Sequence, residues 1–181
     1  MNEMEILKSL EKMYKEEEMD CSIEPDLKSP PFGRLFLYLG EDSLSRERIL
    51  EITAQAQDLG ESLKTPPQEP RFARVQFEVA LPFEVKETAS ADTASLLAFL
   101  NRMLELPGYE FDEVNGKVYY RYVLLTEQSK LDKSLIMGIT GVIRFLLELF
   151  TDSIERIAEE KNTFNELLEQ MLERVEEMGK V

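Results

Sequence analysis

The start of the chain has the apolar spacing of an amphipathic helix. In residues 3–18 the apolar side chains recur at i, i+1, i+4, i+7 and i+8, which are positions on one helix face. They are Ile6, Leu7, Leu10, Met13 and Tyr14, and the other face carries Lys and Glu. The following residues, 20–31, hold Pro25, Pro30 and Pro31 among polar residues, which predicts a loop.

Three later segments predict β-strands. Residues 33–40 form an apolar run between two glycines that is too short for an ordinary helix. Residues 46–57 suit either a strand or one side of a helix, and their β-branched residues favour the strand. Residues 72–85 alternate strongly, which places Val75, Phe77, Val79 and Leu81 on the core side.

Two breaks separate these predicted strands from their neighbours. Residues 58–70 contain Gly60 and three prolines, and they predict a loop. Pro82 lies near the end of the third strand, where the missing N–H indicates an edge or a bulge.

A second helix and a hairpin follow. Residues 92–105 repeat the helical apolar face with Leu96, Leu97, Leu100, Met103 and Leu104; Ser90 or Asp92 can cap this helix, and Pro107-Gly108 ends it. Asn115-Gly116 favours a two-residue type I′ turn. That turn pairs Val114 with Lys117, Phe111 with Tyr120 and Tyr109 with Tyr122, and it sets Glu110 opposite Arg121.

The chain is predicted to be helical from Asp132 onward. Asp132 is the candidate N-cap, and apolar residues from Ile136 recur in steps of three and four. Asn162-Thr163 is a candidate break, with Glu166 at the capping-box distance from Thr163. We therefore predict a core helix to about residue 160 and a second amphipathic helix over 163–178.

These elements predict an α+β fold. The predicted order is α-β-β-β-α-β-β-α plus a C-terminal helix, with a three-stranded antiparallel meander and a hairpin packed by helices. We expect one α+β domain over residues 1–160 and a helical extension over 161–181. The extension either folds back or contacts a second subunit, and dimer contact is preferred. The candidate dimer-contact residues are Phe164, Leu168, Met171 and Val175.

The acidic composition of the chain disfavours some classes of binding partner. The chain has 36 acidic and 21 basic residues, a formal net charge of −15. Such a charge repels phosphate and anionic lipid, so nucleic acid and membranes are not expected partners. One cysteine, no signal-peptide pattern and no run of 18 apolar residues predict a cytoplasmic protein.

The residue types also limit the chemistry. The chain has no histidine, which excludes Ser-His-Asp and Cys-His catalysis, and one cysteine cannot build a four-cysteine metal site. Neither common nucleotide-binding glycine loop is present. Residues 110–116 lack the third ligand of a calcium loop, where Val114 stands, and its closing Glu, and acidic neighbours are expected to raise the pKa of Cys21. We therefore predict no catalytic residue, metal or cofactor, although a carboxylate pair stays open as the less favoured enzyme alternative.

One candidate binding surface comes from the second hairpin strand. Its predicted outward side carries Tyr119, Arg121, Val123 and Leu125. Aromatic and arginine side chains together are common at protein contacts, although helices covering both sheet faces would bury these residues.

The order of elements resembles that of the YbjN-like bacterial proteins, whose fold is similar to that of type III secretion chaperones. The resemblance is best over 96–157. It depends on three segments and the leucine-rich last helix; the segments are Leu100-Asn101-Arg102, Asn115-Gly116-Lys117-Val118 and Arg121-Tyr122-Val123-Leu124. The resemblance implies a dimeric α+β domain without catalytic residues that binds or regulates other proteins. We therefore expect a chaperone-like or regulatory protein-binding module, with assembly through the C-terminal helix as the alternative.

Overall fold

The computed structural model describes residues 2–25, 33–57, 72–127 and 131–170, and these residues form an α+β protein. A six-stranded antiparallel sheet has the strand order β1-β2-β3-β4-β6-β5. The strands are β1 Cys21–Pro25, β2 Gly33–Glu41, β3 Glu47–Gln57, β4 Phe72–Glu84, β5 Tyr109–Asp112 and β6 Lys117–Glu127. The helices are α1 Glu3–Glu16, α2 Ser90–Met103 and α3 Lys133–Ala158, and a 3₁₀ turn, Glu87–Ala89, precedes α2. The predicted α+β class is confirmed.

The chain divides into two compact units, each built from two separate segments. The first unit is Met1–Ala80 with Arg121–Arg144, and the second is Leu81–Tyr120 with Phe145–Val181. β4, β6 and α3 each contribute residues to both units, and the expected boundary at residue 160 stays a prediction.

In the first unit, α1 begins at a capping box and packs on the sheet. The Asn2 side chain accepts a hydrogen bond from the Glu5 N–H at 2.9 Å, and the Glu5 carboxylate accepts one from the Asn2 N–H at 2.8 Å. The predicted apolar face is confirmed, since Ile6, Leu7 and Leu10 are buried, as is Tyr14. The Tyr14 hydroxyl lies 2.7 Å from the Thr140 hydroxyl, which ties α1 to α3 inside this core.

The predicted loop over 20–31 is wrong in its first part. Cys21–Pro25 is an edge strand that pairs antiparallel with β2, from Cys21 opposite Leu37 to Pro25 opposite Gly33. A five-residue strand without an apolar run has no sequence signal of its own, and proline is tolerated at the end of an edge strand. Residues 26–31 lie outside the described residues.

The predicted strands of the first unit are confirmed. In β2 and β3 alternate side chains are buried, and the strands pair with Leu35 opposite Ile52 and Leu37 opposite Leu50. In β4 the predicted inward residues Val75, Phe77, Val79 and Leu81 are all buried. The pairing of β3 with β4 ends at Glu51 opposite Glu78, so Pro82, which is still within β4, lies beyond the β3–β4 ladder. The predicted loop over 58–70 lies outside the described residues.

In the second unit, α2 lacks the predicted side-chain cap. Its N-cap is Ala89, which makes no side-chain capping bond, because the 3₁₀ turn runs directly into the helix and Ser90 already has helical backbone angles. The Asp92 carboxylate instead accepts a hydrogen bond from the Phe164 N–H at 3.3 Å. The helix ends at Met103, before Pro107-Gly108 as predicted.

The hairpin has the predicted faces but a different register. Tyr109 lies opposite Tyr120, Phe111 opposite Val118 and Asp112 opposite Lys117, a shift of two residues from the prediction. Glu110 consequently lies opposite Tyr119, and not opposite Arg121. A type I′ turn needs positive φ at both central residues, but of Asn115 and Gly116 only Gly116 has it. The Asp112 carboxylate accepts hydrogen bonds from the Val114 and Asn115 N–H groups, which stabilises a longer turn.

The predicted start, end and break of the last core helix are confirmed. The Asp132 carboxylate caps α3 by accepting a 2.7 Å bond from the Leu135 N–H. After Ala158 the chain turns at Glu160, which has a φ of 62°, and the Lys161 N–H donates back to the Arg156 carbonyl at 2.8 Å, a Schellman ending. Residues 164–170 are helical again and begin at the predicted capping box between Thr163 and Glu166.

The start of the C-terminal segment packs within its own unit. The centroids of the Phe164 and Phe99 rings lie 6.0 Å apart in an edge-to-face arrangement, and Leu167 is buried. Leu168 is half-buried, while Met171 and Val175 lie outside the described residues. The break and the Phe99 contact agree with the fold-back alternative for residues 164–170, and the dimer contact through this segment stays a prediction.

Candidate protein-binding surface

The sheet of the first unit has one buried face and one partly exposed face. Burial alternates residue by residue along β2 and β4, with Leu35, Leu37, Val75 and Phe77 on the buried side. We call the other side of β2, β3, β4 and residues 121–127 of β6 the open face. An antiparallel sheet with one solvated face normally carries polar residues there.

Apolar side chains interrupt the polar residues of the open face at two places. On β2 and β3, Tyr38 lies directly opposite Ile49, and each is 37% exposed. On β6, Val123 is 39% and Leu125 is 52% exposed. These side chains keep roughly a third to a half of their surface in water, and contiguous apolar surface of this kind is typical of interaction sites.

Charged and amide side chains occupy the positions near the Tyr38–Ile49 pair. Arg34 forms an ion pair with Glu51, with the closest nitrogen 3.1 Å from the carboxylate, and Gln76 donates a 3.0 Å hydrogen bond to Glu78. Arg34, Glu51 and Arg74 line a shallow depression together with Thr53, Gln55 and Gln76. Since the Arg34–Glu51 pair is partly exposed, it contributes at most about 1 kcal/mol to stability.

The four residues predicted as a binding surface lie on one side of β6. Val123 and Leu125 are exposed as predicted, and Arg121 is half-buried on the same side. Tyr119 is half-buried opposite Glu110 and belongs to the second unit. The open face of the first unit therefore contains three of the four predicted residues.

Sequence reasoning missed Tyr38 and Ile49. The apolar run over residues 33–40 predicts a mostly buried strand, although Arg34, Phe36 and Tyr38 alternate with Leu35, Leu37 and Leu39. With the leucines assigned to the core, the alternation alone assigns Phe36 and Tyr38 to the other side.

The shifted carboxyl pKa values have structural causes. Lys133 lowers the pKa of Glu16, Lys117 lowers that of Glu84, and Asn115 lowers that of Asp112. These groups are held in their charged form by ion pairs and turn hydrogen bonds. In the described parts of the chain, no group of three or more His, Cys, Asp or Glu residues could hold a metal ion.

The single thiol is protected from ionisation. Burial raises the pKa of Cys21 first, and the charge of Glu11 raises it further. The direction agrees with the sequence prediction, but burial contributes more than the acidic neighbours. A thiol with a raised pKa is a weak nucleophile at neutral pH.

Helix α3 is long and apolar enough to cross a membrane by length and composition alone. It has 26 residues and contains an 18-residue window of mean hydropathy 1.6, of which 39% is buried inside the protein. The window is not a run of 18 consecutive apolar residues, because Arg144 and Glu148 interrupt it. A core helix passes the same test, and α3 buries Ile136, Ile143, Leu147 and Ile154.

Comparison with known proteins adds no relative. The sequence matches no protein-family model and none of the curated proteins against which it was compared. The resemblance to the YbjN-like proteins therefore stays a prediction.

Proposed function

We propose that this chain is a non-enzymatic protein-binding module of chaperone-like or regulatory type, and that it binds its partner through the open face of the first unit. The observation that carries the proposal is the exposed Tyr38–Ile49 pair. Aromatic and aliphatic groups kept in water on a sheet are typical of surfaces that another protein covers.

The composition of the open face supports a protein partner. Its apolar groups are accompanied by arginines and acids, among them Arg34, Glu51 and Glu78. Binding sites for proteins combine an apolar centre with a polar rim in this way. The net charge of −15 favours a partner whose own rim is basic and disfavours nucleic acid.

The chemistry of the described residues supports binding more than catalysis. A general acid at neutral pH needs a carboxyl group whose pKa is raised by burial or by a second acid. The carboxyl pKa values of Glu16, Glu84 and Asp112 are shifted the other way. The depression at Arg34 is open and polar, unlike the enclosed apolar pockets that hold small molecules.

The proposal is tested by charging the apolar part of the open face. The double variant Ile49→Glu with Leu125→Glu places carboxylates on β3 and β6 at exposed positions. Tagged protein is used to capture partners from a lysate of the native host, and bound proteins are quantified by mass spectrometry. We expect partners captured by the wild type to be lost by the double variant.

The matched control carries the same kind of charge change elsewhere. Val114→Glu lies in the hairpin turn, where Val114 is 92% exposed. The control is expected to capture the same partners as the wild type. A folded double variant with undiminished capture would overturn the proposed surface, and circular dichroism together with thermal melting establishes that each variant is folded.

A further inference from the structure

Helix α3 carries a second apolar face that its own core does not use. Its inner side is buried through Ile136, Ile143 and Leu147, while large side chains on the outer side are in water. We call Leu135, Gly138, Val142, Phe145 and Leu149 the outer stripe. Leu135 is 47%, Phe145 58% and Leu149 53% exposed, and Val142 is 37% exposed.

The spacing of the outer stripe is that of a helix-pairing seam. The steps between its residues are three, four, three and four, the 3.5-residue repeat of paired helices. All five residues lie on one continuous helix, so the geometry of that helix alone sets their relative positions. The stripe spans about 21 Å at roughly 1.5 Å per residue.

We propose that the outer stripe binds the outer stripe of a second copy of this chain, with the two α3 helices antiparallel about a two-fold axis beside Val142. In this arrangement Leu135 lies opposite Leu149 of the other copy, and Phe145 lies about 1.5 Å along the helix from the level of Gly138 of the other copy. A two-fold contact requires a surface that is complementary to itself, and the outer stripe has this property.

The glycines of α3 provide the space that Phe145 needs. A Cβ atom added at Gly138 or at Gly141 would have no other heavy atom within 4 Å. Both positions, Gly138 within the stripe and Gly141 next to it, are therefore open in the isolated chain. Packing a large side chain of one helix against a small residue of the other is the usual way in which facing helices interdigitate.

Charge also favours a second copy at this place. Two copies, each with a net charge of −15, repel each other wherever acidic surfaces meet. Residues 134–143, which contain the first three stripe residues, include no Asp, Glu, Lys or Arg. The first half of the stripe therefore has no charged neighbours in sequence, and the second half is next to Arg144 and Glu148, one charge of each sign, so two acidic chains can approach here without a net excess of like charge.

This dimer differs from the contact predicted from sequence. The predicted residues Phe164 and Leu168 lie in the C-terminal segment, where Phe164 already packs on Phe99. The outer stripe is also separate from the open face, so its role goes beyond the proposed function. Loss of dimerisation and loss of partner capture can therefore be measured independently.

The first experiment measures mass by sedimentation equilibrium. We expect the wild type to have twice the chain mass and Phe145→Glu to weaken dimerisation roughly 30-fold or more, as for a central interface residue. Val114→Glu introduces the same charge at a position that is 92% exposed and should dimerise like the wild type. If Phe145→Glu does not fold, Leu149→Glu replaces it.

Two results of this experiment would overturn the proposal. One is a wild-type protein that stays monomeric at about 100 μM, a concentration at which even a weak specific dimer forms. The other is a folded Phe145→Glu or Leu149→Glu variant that dimerises as tightly as the wild type.

The second experiment tests the antiparallel direction by disulfide cross-linking. Cys21 is the only cysteine, so a Cys21→Ser background permits single new thiols. Val142→Cys should cross-link with itself, and Leu135→Cys should cross-link when mixed with Leu149→Cys. Leu135→Cys alone should not, because its two copies would lie about 21 Å apart along the helices. Efficient self-linking of Leu135→Cys would show a parallel pair and overturn the proposed arrangement.

Discussion

At the scale of single residues, both the backbone angle and the close contact at Gly116 favour glycine. Its φ is +63°, and a Cβ added to it would lie 3.1 Å from the carbonyl oxygen of Val85. The Gly116 carbonyl also accepts a 2.8 Å hydrogen bond from the Val85 N–H. The hairpin turn thus contacts Val85, the residue after β4, so closely that any side chain larger than hydrogen at position 116 would be crowded.

We expect Gly116→Val to lower the free energy of unfolding by about 1–3 kcal/mol, because a β-branched residue resists positive φ and meets Val85. Urea denaturation measures this change. Gly116→Asn is the matched control, since it adds the same Cβ while asparagine tolerates positive φ. Equal losses in the two variants would show that crowding, and not the backbone angle, limits this position.

The Asp42 carboxylate makes the free energy of unfolding depend on pH in the acidic range. Its side chain is only 3% exposed and accepts hydrogen bonds from the Leu44 N–H, the Arg46 N–H and the Arg46 guanidinium, at 2.7–2.9 Å. Burial alone raises the pKa of Asp42, but these hydrogen bonds outweigh burial and lower it. Because the folded pKa is below the unfolded one, the stabilisation is present above about pH 4 and is lost as pH falls through the folded pKa.

We therefore expect Asp42→Asn, which does not titrate, to make the free energy of unfolding less dependent on pH. The measurement is urea denaturation of both proteins at several values between pH 6 and pH 2.5. The gap in stability between wild type and variant should narrow as the pH falls. A gap that stays constant over this range would exclude Asp42 as a source of acid sensitivity.

At the scale of elements, the helix after residue 162 depends on its first turn. Thr163 accepts a 3.2 Å bond from the Glu166 N–H, and the Glu166 carboxylate accepts a 2.8 Å bond from the Thr163 N–H. We expect Thr163→Ala to cost about 1 kcal/mol and Thr163→Ser to cost little, because serine keeps the hydroxyl. Thermal denaturation of the three proteins checks this, and indistinguishable melting temperatures would show that the cap contributes nothing.

Elements were predictable where periodicity and capping agree. The α1 face, the capped start of α3 and the break before Thr163 all follow from local spacing, and each is present. The hairpin shows the limit of such reasoning. The two faces of the hairpin follow from the two-residue period of its strands. Its register depends on the hydrogen bonds that the Asp112 carboxylate accepts from the turn backbone, and the Asn115-Gly116 pair alone does not predict these bonds.

The candidate surface was only partly predictable for a related reason. Val123 and Leu125 were found because their strand was assigned to the hairpin, whose outward side could be deduced. Tyr38 and Ile49 became neighbours only through the pairing of β2 with β3, a contact across the sheet that no local pattern contains. Edge strand β1 was missed because its partner, and not its own composition, holds it in place.

At the scale of the whole molecule, acidic charge opposes the compact state. A net charge of −15 on 181 residues makes folding bring like charges together. We expect the melting temperature to rise when NaCl is increased from 20 to 300 mM, because salt screens this repulsion. Differential scanning calorimetry at pH 7 measures it, and a fall in melting temperature would instead mean that screened ion pairs such as Lys133–Glu16 dominate.

The interleaving of the two units along the chain has a consequence for synthesis on the ribosome. The first unit consists of Met1–Ala80 and Arg121–Arg144, so its second segment emerges only after the intervening 40 residues, 81–120, have been translated. Until then the Tyr14 hydroxyl lacks its hydrogen-bond partner Thr140, and the buried residues Ile136 and Ile143 of the same unit have not yet been made. Although N-terminal regions usually fold first on the ribosome, here the first unit cannot be completed until residue 144 has been translated.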